Sequence, residues 1–459
     1  MKIVLISNPV SRRQRPDYPP PGIAYLGAVA HQKGHEVLLL DGGLLSCSQI
    51  ISKTRLFSPD ILGVTCWTID RGMVWKLCEM LKQTVPNAIL IMGGPHATIY
   101  PEHIFKLTHT SAVVLGEGED TFSDIIDAIS EGKDFKSIPG LALRAKDNNV
   151  FYTEIRQRID DLDRIPLPYY AGFENFSFSH YCSHPPLPSP SAAIISSRGC
   201  VFDCSYCASV RFWGSTWRFR SPENILAETG WLVEKYGVRS LFFYDDNFPV
   251  NKNRAIAICE GIIKNKWDLK WACCSHVKMI NSELLKAMKA SGCIAIDFGV
   301  ESGDDNILMN INKCQNHKDI ERAFSLTSEA GISAQAYLMV GNPGESESSV
   351  DNTIELIKRI KPRMCGTNIL WLLPGTKVYQ DAVRNGFIND DYWLTNNDVP
   401  YNLQEHSMRN LVMLRQRLMM GIAKEKNGIS LRVNNYLKCL YYRHPFLSRY
   451  RSLVPNIFR

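Results

Sequence analysis

The sequence predicts an α/β protein: first a Rossmann-like doubly wound parallel sheet, then a partial (β/α)6 barrel, and last a C-terminal helical basic segment. Three observations indicate this fold class. Short apolar runs alternate twice with helix-like segments, which is typical of parallel strands buried on both faces. At 459 residues the chain is too long for one ordinary domain. Positive charge is concentrated near the C-terminus. The predicted division is 1–130 for the first domain, 131–190 for a linker, 191–390 for the barrel and 391–459 for the basic region.

The first alternation of strands and helices predicts a domain that binds a nucleotide or a cofactor. Glycine-rich pieces follow two of its strands, and in open α/β sheets ligands bind at the carboxyl ends of strands. Predicted strands are Lys2–Ser7, Glu36–Asp41, Ile61–Thr65, Ile89–Met92 and Ala112–Leu115. Predicted helices are Gly22–Lys33, Arg71–Gln83 and Thr121–Ser130.

The second alternation contains six β/α units, which suits a partial barrel with its chemistry at the carboxyl ends of the strands. A hairpin with a turn near Asn148–Asn149 and the proline-rich stretch His184–Ser191 precede it. Predicted strands are Ala192–Ser196, Ser240–Tyr244, Trp271–Ser275, Ile294–Val300, Ala334–Val340 and Thr367–Leu372. Predicted helices are Pro222–Tyr236, Lys252–Lys264, Ser282–Ala290, Lys318–Ala330 and Ser346–Ile360.

Composition indicates a globular protein of the cytoplasm. Hydrophobic residues make up 45% of the chain and charged residues 21%. No apolar stretch reaches the roughly 18 residues that a membrane span needs. The N-terminal apolar run is short and is typical of a buried strand, whereas a signal peptide has a longer one. Fourteen cysteines in a chain without a signal peptide argue against a disulfide framework.

Cys200, Cys204 and Cys207 form a C-x3-C-x2-C array directly after a predicted strand. Soft thiolates suit zinc or an iron–sulfur cluster. A structural zinc ion needs four ligands, and the sequence has no second C-x2-C pair. A [4Fe–4S] cluster also normally has four cysteines, so three imply a cluster with one iron open to a ligand from outside the protein.

This array, CVFDCSYC in a loop after the first barrel strand, resembles the radical S-adenosylmethionine (SAM) superfamily over roughly Ala192–Gly386. The resemblance implies that Cys200, Cys204 and Cys207 hold a [4Fe–4S] cluster. Its open iron would chelate the amino and carboxylate groups of SAM. One electron would then release a 5′-deoxyadenosyl radical that abstracts hydrogen. Tyr206 matches the aromatic position beside the third cysteine and would lie near the adenine.

Two further segments resemble SAM-binding positions of that superfamily. Asp245 and Asp246 stand where members carry a GGE-like motif that binds the methionine amine; which of the two does so is open, and capping of a loop or helix is the alternative. Glu301 and Ser302 resemble positions that bind the ribose hydroxyls or the methionine carboxylate. A purely structural role is the alternative for both.

Gly341 and Gly344, in MVGNPGES, resemble the turn on the adenine side of SAM, although turn formation alone also explains these glycines. His276 ends the third barrel strand. It would either contact the substrate or be a core histidine with satisfied hydrogen bonds, and we favour the core role.

The first domain resembles the cobalamin-binding domain that is fused to many radical enzymes. Gly93 and Gly94 match the family's glycine pair, which leaves room for the nucleotide tail, and Thr65 begins the segment in place of its Ser-x-Leu element. The family's Asp-x-His-x-x-Gly motif is missing after the first strand. Either cobalt has no protein imidazole below it, which we favour, or the domain has lost cobalamin. His96 fits a local turn role better than a ligand role.

This domain order implies a cobalamin-dependent radical SAM enzyme, foremost one that methylates an unactivated centre of a small-molecule metabolite. Methylcobalamin would donate the methyl group to a substrate radical, and a second SAM would restore it. The alternatives are a radical SAM cyclase or rearrangement enzyme, a cobalamin-free radical SAM enzyme with a scaffold domain, and a non-catalytic cluster or cobalamin sensor. An external electron donor such as flavodoxin or ferredoxin is expected.

The basic region has 11 Lys and Arg residues against one acid, Glu425, between Arg409 and Arg459, a net charge of +10 in a chain with a total of +6. It would pack on the barrel as a helical cap, hold an anionic substrate or partner, or contact an anionic membrane surface peripherally; we favour the cap. No nucleic-acid-binding module occurs, so no nucleic-acid partner is expected.

Overall fold

In the computed structural model, which describes residues 1–10, 15–145, 149–214 and 216–425, a seven-stranded sheet precedes a six-stranded one. The first sheet contains β1 (Lys2–Ile6), β2 (Glu36–Leu40), β3 (Ile61–Thr65), β4 (Ile89–Gly93), β5 (Ala112–Val114), β6 (Leu141–Arg144) and β7 (Val150–Tyr152). Its helices are α1 (Pro21–Gln32), α2 (Cys47–Phe57), α3 (Arg71–Thr84), α4 (Pro95–Ile99), α5 (Pro101–Leu107) and α6 (Glu119–Glu131).

The first sheet has the strand order β2-β1-β3-β4-β5-β6-β7, and its first five strands are parallel. That order for the parallel strands is one of the two common doubly wound arrangements. All five predicted strands and all three predicted helices of this region are confirmed. The predicted hairpin is β6 and β7, which pair antiparallel with each other, and β6 also pairs antiparallel with β5. The sheet therefore extends to Tyr152, past residue 130, while the domain boundaries themselves stay predictions.

The second sheet consists of parallel strands that follow one another in chain order, as a partial barrel requires. In chain order the remaining strands are β8 (Ser191–Ile194), β9 (Ser197–Arg198), β10 (Arg218–Phe219), β11 (Ser240–Phe243), β12 (Lys270–Ser275), β13 (Cys293–Glu301), β14 (Ser333–Val340) and β15 (Met364–Ile369). The sheet order is β8-β11-β12-β13-β14-β15, and β9 pairs with β10 in a separate two-stranded ribbon. The edge strands β8 and β15 do not pair with each other, so the barrel is open.

The helices of this second part lie on the outer face of the barrel and in the chain segment that follows it. They are α7 (Ser209–Trp213), α8 (Pro222–Tyr236), α9 (Lys252–Lys264), α10 (Ser282–Ala290), α11 (Asp305–Asn310), α12 (His317–Glu329), α13 (Glu347–Ile360), α14 (Lys377–Arg384), α15 (Tyr392–Thr395) and α16 (Met408–Glu425). All five predicted helices are confirmed, and so are the six strands. The last strand, β15, lies three residues before the predicted Thr367–Leu372 at both ends. It ends at Ile369 because the following apolar Leu370 and Leu372 pack in a separate cluster with α14 and α15.

α16 packs as a cap on the barrel. Leu411 and Leu418 are buried in the barrel core, and the Arg417 Nε and Nη2 atoms each lie 2.7 Å from a carboxylate oxygen of Asp351 in α13. The helical-cap interpretation thus fits Met408–Glu425. The rest of the basic region, with the membrane contact considered for it, lies outside the described residues. In the part of the chain that the structure describes, no helix has the length and apolar character to cross a membrane.

Arg71 ties the chain beyond the barrel to the first sheet. Its guanidinium is fully buried at the start of α3 and donates to the backbone oxygens of Trp393 (3.1 Å), Asp398 (2.9 Å) and Asn396. It also lies 4.8 Å from the centre of the Trp393 ring. A planar guanidinium is needed to reach several carbonyls at once. The segment between α14 and α16 is therefore fixed against the first sheet.

We expect Arg71→Lys to lower the free energy of unfolding by about 2–3 kcal/mol, because a single ammonium leaves buried carbonyls without donors. Urea denaturation followed by circular dichroism measures this change. Lys76→Arg, an exposed exchange on the same helix, is the control and should change stability little. Equal stability of the Arg71→Lys protein and the wild type would contradict this account of the contact.

Candidate functional site

The three predicted cysteine ligands lie together in the loop after β9, at the carboxyl end of the barrel's first strand. Gly199 begins this loop with a φ of +89°, and a Cβ there would come within 2.4 Å of the Thr216 carbonyl oxygen. The pKa of Cys204 is raised to about 11, mainly by burial and to a smaller extent by the neighbouring Cys207 and Cys200. Burial also raises the pKa of the other two thiols. The loop thus gathers three half-buried or buried thiols whose charges would act on one another.

Backbone contacts from distant segments fix the cysteine loop. The Ser205 N–H donates to the Ile311 carbonyl (3.0 Å), and the Ser205 carbonyl accepts from the Val378 N–H (3.1 Å). The Asn312 side chain donates to the Asp203 carbonyl (2.7 Å). The loop is therefore held by the turn after α11 and by the start of α14.

The donor set fits a [4Fe–4S] cluster better than a single ion. Among the described residues, no three His, Cys, Asp or Glu side chains converge to hold one metal ion. A cluster makes a different demand, because each thiolate binds a separate iron. Three soft thiols in one fixed loop meet that demand and leave one iron without a protein thiolate.

A polar triad packs against the cysteine loop. The Tyr206 hydroxyl donates to Glu301 Oε1 (2.8 Å), and the Lys313 ammonium lies 3.1 Å from that hydroxyl and 3.3 Å from Glu301 Oε1. Glu301 has a φ of +62° at an irregularity in β13. A Cβ on Gly299 would come 2.7 Å from both Glu301 Oε1 and Lys313 Nζ, so glycine leaves room for this pair. Tyr206 and Glu301 are thus brought together.

Lys313 is a site residue that no sequence pattern indicated. It is buried, and its positive charge acts on Cys204 and Cys207. The pKa of Lys313 is raised because Glu301 and the two cysteines favour its charged form more than burial opposes it. The sequence holds no signal for this role, because Lys313 lies more than 100 positions after the cysteine array and outside any motif.

The two aspartates after β11 differ in burial and in the number of their hydrogen-bond partners. Asp245 is buried, and its carboxylate accepts from Ser196 N (2.7 Å), Ser197 N (3.2 Å) and both of their hydroxyls. These four bonds account for its carboxylate and fit the capping role. Asp246 is exposed, accepts from the Ser209 hydroxyl, and acts electrostatically on Cys200 and Cys207. Only Asp246 is therefore free to meet a ligand beside the cysteines.

Ser302, Gly341 and Gly344 have structural partners that account for them. The Ser302 hydroxyl lies 3.3 Å from that of Thr353 and accepts from the Asp304 N–H. Gly341 and Gly344 both have positive φ values, +86° and +80°, as tight turns require. Their roles as SAM contacts stay predictions.

His276 is a core histidine in the structure. Its Nε2 lies 3.0 Å from the Lys313 carbonyl, its Nδ1 accepts from the Lys278 N–H, and its ring stacks on Phe202 at 3.9 Å. Burial lowers its pKa to about 4. The histidine therefore packs against the cysteine loop through Phe202.

The carboxyl ends of the strands in both sheets carry exposed apolar side chains. In the first sheet, Trp67 is 51% exposed, and Leu44 and Ile69 are also open. In the barrel, Val201 and Tyr244 are exposed at the corresponding ends. Such open apolar side chains at two sets of strand ends fit a large planar cofactor better than a small polar one.

The glycine pair after β4 is a close-packed turn. A Cβ on Gly94, whose φ is +97°, would come 2.9 Å from Thr65 Cγ2 and 3.0 Å from the Cys66 carbonyl oxygen. Thr65 and Gly94 thus lie in contact at the end of β3, whereas a Cβ on Gly93 would meet only Val114 at ordinary distance. Gly94 is therefore required by the packing of the turn itself, whereas the backbone at Gly93 is open. We call Thr65, Gly93 and Gly94 the cradle. The open side of Gly93 fits the cobalamin domain's pattern, and the role of the cradle in holding the nucleotide tail stays a prediction.

His96 does not reach this cradle. Its ring is fully buried between Trp75, Tyr100 and Trp393, and its Nδ1 lies 3.2 Å from the Thr68 hydroxyl. Burial lowers its pKa to about 3. Its burial in an aromatic cluster fits the interpretation that it is no cobalt ligand.

A cavity of about 1090 Å³ lies at the opposite end of the barrel. Ile294 and Ser333, at the amino ends of β13 and β14, line it together with Arg359 and Lys361. Residues at that end of a barrel usually serve stability. The predicted cofactor site therefore lies elsewhere, at the carboxyl ends.

A buried network of charges joins the first sheet to the cysteine loop. Glu117, after β5, accepts from Arg198 Nη1 (2.7 Å) and from Arg218 Nη1 (2.8 Å). Glu119, at the start of α6, accepts from both Nη atoms of Arg198. All four side chains are at most 10% exposed. We call this set the Glu–Arg clamp, and Arg198 stands two residues before Cys200.

Comparisons with known proteins cover both halves of the chain. Residues 194–357 match the Radical SAM superfamily, and residues 10–126 match the B12 binding domain. The chain is 30% identical over 454 residues to an uncharacterized methyltransferase of Pyrococcus horikoshii, across 97% of this chain and 96% of the relative. It is 26% identical over 374 residues to the anaerobic magnesium-protoporphyrin IX monomethyl ester cyclase of Rubrivivax gelatinosus, across 80% of this chain and 66% of the relative.

A solved structure has a similar fold. The radical S-adenosylmethionine methyltransferase TsrM from Kitasatospora setae has a TM-score of 0.69 with this chain at 18% identity. The alignment covers 83% of this chain and 75% of TsrM. The likeness extends over both sheets and confirms the predicted fold class.

We expect Glu117→Gln to lower the free energy of unfolding by about 3–5 kcal/mol, because it leaves Arg198 and Arg218 buried without their shared carboxylate. Denaturation by urea measures the loss. Asp120→Asn is the matched control: Asp120 pairs with the half-exposed Arg164, so its loss should cost at most about 1 kcal/mol. If the two variants are equally stable, the clamp does not hold the domains together.

Proposed function

The chain belongs to the cobalamin-dependent radical SAM methyltransferases, and from this premise we propose that it methylates an unactivated centre of a small-molecule metabolite. One observation carries the proposal: the cysteine loop of the barrel is clamped, through Arg198, to the strand ends of the first sheet. A cluster and a cobalamin bound at these two places would face one space between the domains. The full-length relative from Pyrococcus horikoshii, a methyltransferase by name, favours methyl transfer over cyclisation.

Cys200, Cys204 and Cys207 would hold a [4Fe–4S] cluster which, with SAM bound, supplies a 5′-deoxyadenosyl radical, while cobalamin carries the methyl group. The chain's own residues bind and orient these groups. Lys313 places a buried positive charge against two of the thiols, which offsets part of the negative charge of the thiolates.

For SAM, we assign the methionine ammonium to Asp246. Asp245 is saturated by its four serine donors, whereas Asp246 is exposed beside the cysteines. A carboxylate accepts hydrogen bonds from an ammonium without loss of charge complementarity. Tyr206 stays the candidate for the adenine side. Its hydroxyl is already bonded to Glu301, so only its ring would contact a ligand.

For cobalamin, the cradle at Thr65, Gly93 and Gly94 would receive the nucleotide tail, and Trp67 would offer an apolar surface. The described part of the first sheet places no imidazole in this cradle, since His96 is buried in its aromatic cluster. We therefore propose cobalamin without a protein ligand below the cobalt. An external electron donor, such as flavodoxin or ferredoxin, would reduce the cluster.

Anaerobic reconstitution with iron, sulfide and hydroxocobalamin tests this function. We expect about four irons per chain, a cobalamin absorption spectrum, and 5′-deoxyadenosine after reduction with SAM present. Cys204→Ala should abolish 5′-deoxyadenosine, because the cluster loses one of its three ligands. Cys47→Ala, in α2 and away from the array, is the control and should keep full activity. Undiminished cleavage of SAM by the Cys204→Ala protein would refute the cluster assignment.

A second test separates the two aspartates. Asp246→Asn should weaken SAM binding to the cluster-loaded protein by at least about tenfold, since a charge-assisted contact is lost. Its stability and iron content should stay near the wild-type values. Asp245→Asn should instead lower stability and iron content, because it disrupts the serine contacts that hold the loop. Calorimetric SAM titration and iron analysis measure both effects. Wild-type SAM affinity in Asp246→Asn would exclude our assignment.

A further inference from the structure

A layer of polar side chains lies inside the barrel at the level of Tyr244, two positions before Asp246 in the chain. Cys274 pairs in register with Asp297, and Asp297 with Gln335. Tyr244 belongs to the same layer, because Phe243 pairs with Cys273 one position earlier. Strand residues alternate between faces, so these side chains share the inner face with the apolar cluster of Phe242, Ala272 and Ala295.

Asp297 is the centre of this layer. Its Oδ2 accepts from the Tyr337 hydroxyl (3.2 Å) and lies 2.8 Å from His184 Nε2. The Asp297 side chain is only 2% exposed, yet its Oδ1 has no hydrogen-bond partner among the described residues. The same is true of the buried Gln335 Oε1. A buried acceptor without a donor is costly, so both oxygens indicate a missing donor.

The first domain contributes to the same space. The segment after β1 runs beside the linker, where the Cys182 N–H donates to the Pro16 carbonyl (3.0 Å) and the His184 N–H to the Tyr18 hydroxyl (3.1 Å). The Tyr18 ring stacks on Phe242 at 5.9 Å and meets the edge of Tyr244 at 6.4 Å. Tyr244 is 57% exposed although it directly follows the buried strand β11, so the space beside it is open.

The charges around this space are negative. The groups that act electrostatically on Tyr244 and Cys274 are aspartates and a thiol, with Asp17 and Asp246 acting on Tyr244 and Asp297 on Cys274. His184, which carries a positive charge only when protonated, is paired with Asp297 and acts on Asp17 as well. Aromatic faces next to carboxylates favour a cation.

We propose that this layer recognises the substrate, and that it selects a molecule with a protonated amine next to an apolar or planar group. The ammonium would donate to Asp297 Oδ1 and Gln335 Oε1, and the tyrosine rings would cover the apolar group. This inference rests on the proposed function, because it places the substrate next to the bound SAM. It adds the chemical class of substrate, which the family does not specify.

Calorimetric titration with three matched probes tests the inference: benzylammonium, the uncharged benzyl alcohol and the anionic benzoate. The protein is cluster-loaded and saturated with SAM but not reduced, so a probe cannot occupy the SAM site and no turnover occurs. We expect benzylammonium to bind at least tenfold more tightly than benzyl alcohol, and benzoate not to bind. Equal affinity for benzylammonium and benzyl alcohol would overturn the proposal. So would benzylammonium binding that occurs in the SAM-free protein but not in the SAM-saturated protein, because the probe would then occupy the SAM site.

Variants locate the binding. Asp297→Asn should weaken benzylammonium binding at least tenfold, and Asp268→Asn, a fully exposed carboxylate on the chain before β12, should leave it unchanged. If Asp297→Asn fails to fold, Tyr244→Leu decides, since Tyr244 is exposed: it should weaken binding about threefold through the lost ring face. Unchanged benzylammonium affinity in Asp297→Asn, or in Tyr244→Leu if Asp297→Asn does not fold, would overturn the proposal. Failure of the proposed function would instead appear as missing SAM cleavage in the reduced wild type, while probe binding persisted.

Discussion

The Glu–Arg clamp is the contact on which the arrangement of this protein depends. Two carboxylates after β5 and two guanidiniums around the cysteine loop form a buried network between the domains. Burial of these charges is favourable only while every partner is present, because an unpaired charge in that environment is strongly destabilising. The network therefore favours this relative position of the two domains, and it sets the strand ends of the first sheet next to the cysteine loop.

Within that frame the site shows a division between saturated and open polar groups. Asp245, His276 and the Oε1 atom of Glu301 have hydrogen-bond partners within the protein and hold the cysteine loop in place. Asp246, Tyr244 and the second oxygen of Asp297 remain without such partners or open to the space between the domains. The polar groups with protein partners hold the site in shape, and the open polar groups are available to bind a ligand. This distinction separates neighbouring residues, such as the two aspartates, that look equivalent in the sequence.

The sequence predicted the alternation of strands and helices well. Continuous apolar runs indicate buried parallel strands directly, and the glycine and proline residues between elements mark where the elements end. It also located the cysteine array, since the spacing of three thiols is a local pattern. It could not assign separate roles to Asp245 and Asp246, because whether a carboxylate is saturated depends on Ser196 and Ser197, which lie almost 50 positions away. Lys313 and the Glu–Arg clamp were missed for the same reason: their meaning lies in contacts between distant segments. The helix α2 was missed because its apolar positions are few, although the capping box formed by Ser46 and Gln49 is a start signal that the sequence contains.

The central claim is that the clamp sets a cluster in the barrel and a cobalamin on the first sheet at one fixed separation. Pulsed dipolar electron paramagnetic resonance between the reduced cluster and the paramagnetic Co(II) form of cobalamin measures that separation in the fully loaded protein. The account predicts a single, narrow distribution of distances in the wild type. A broad distribution, or no dipolar interaction between the two centres, would contradict it.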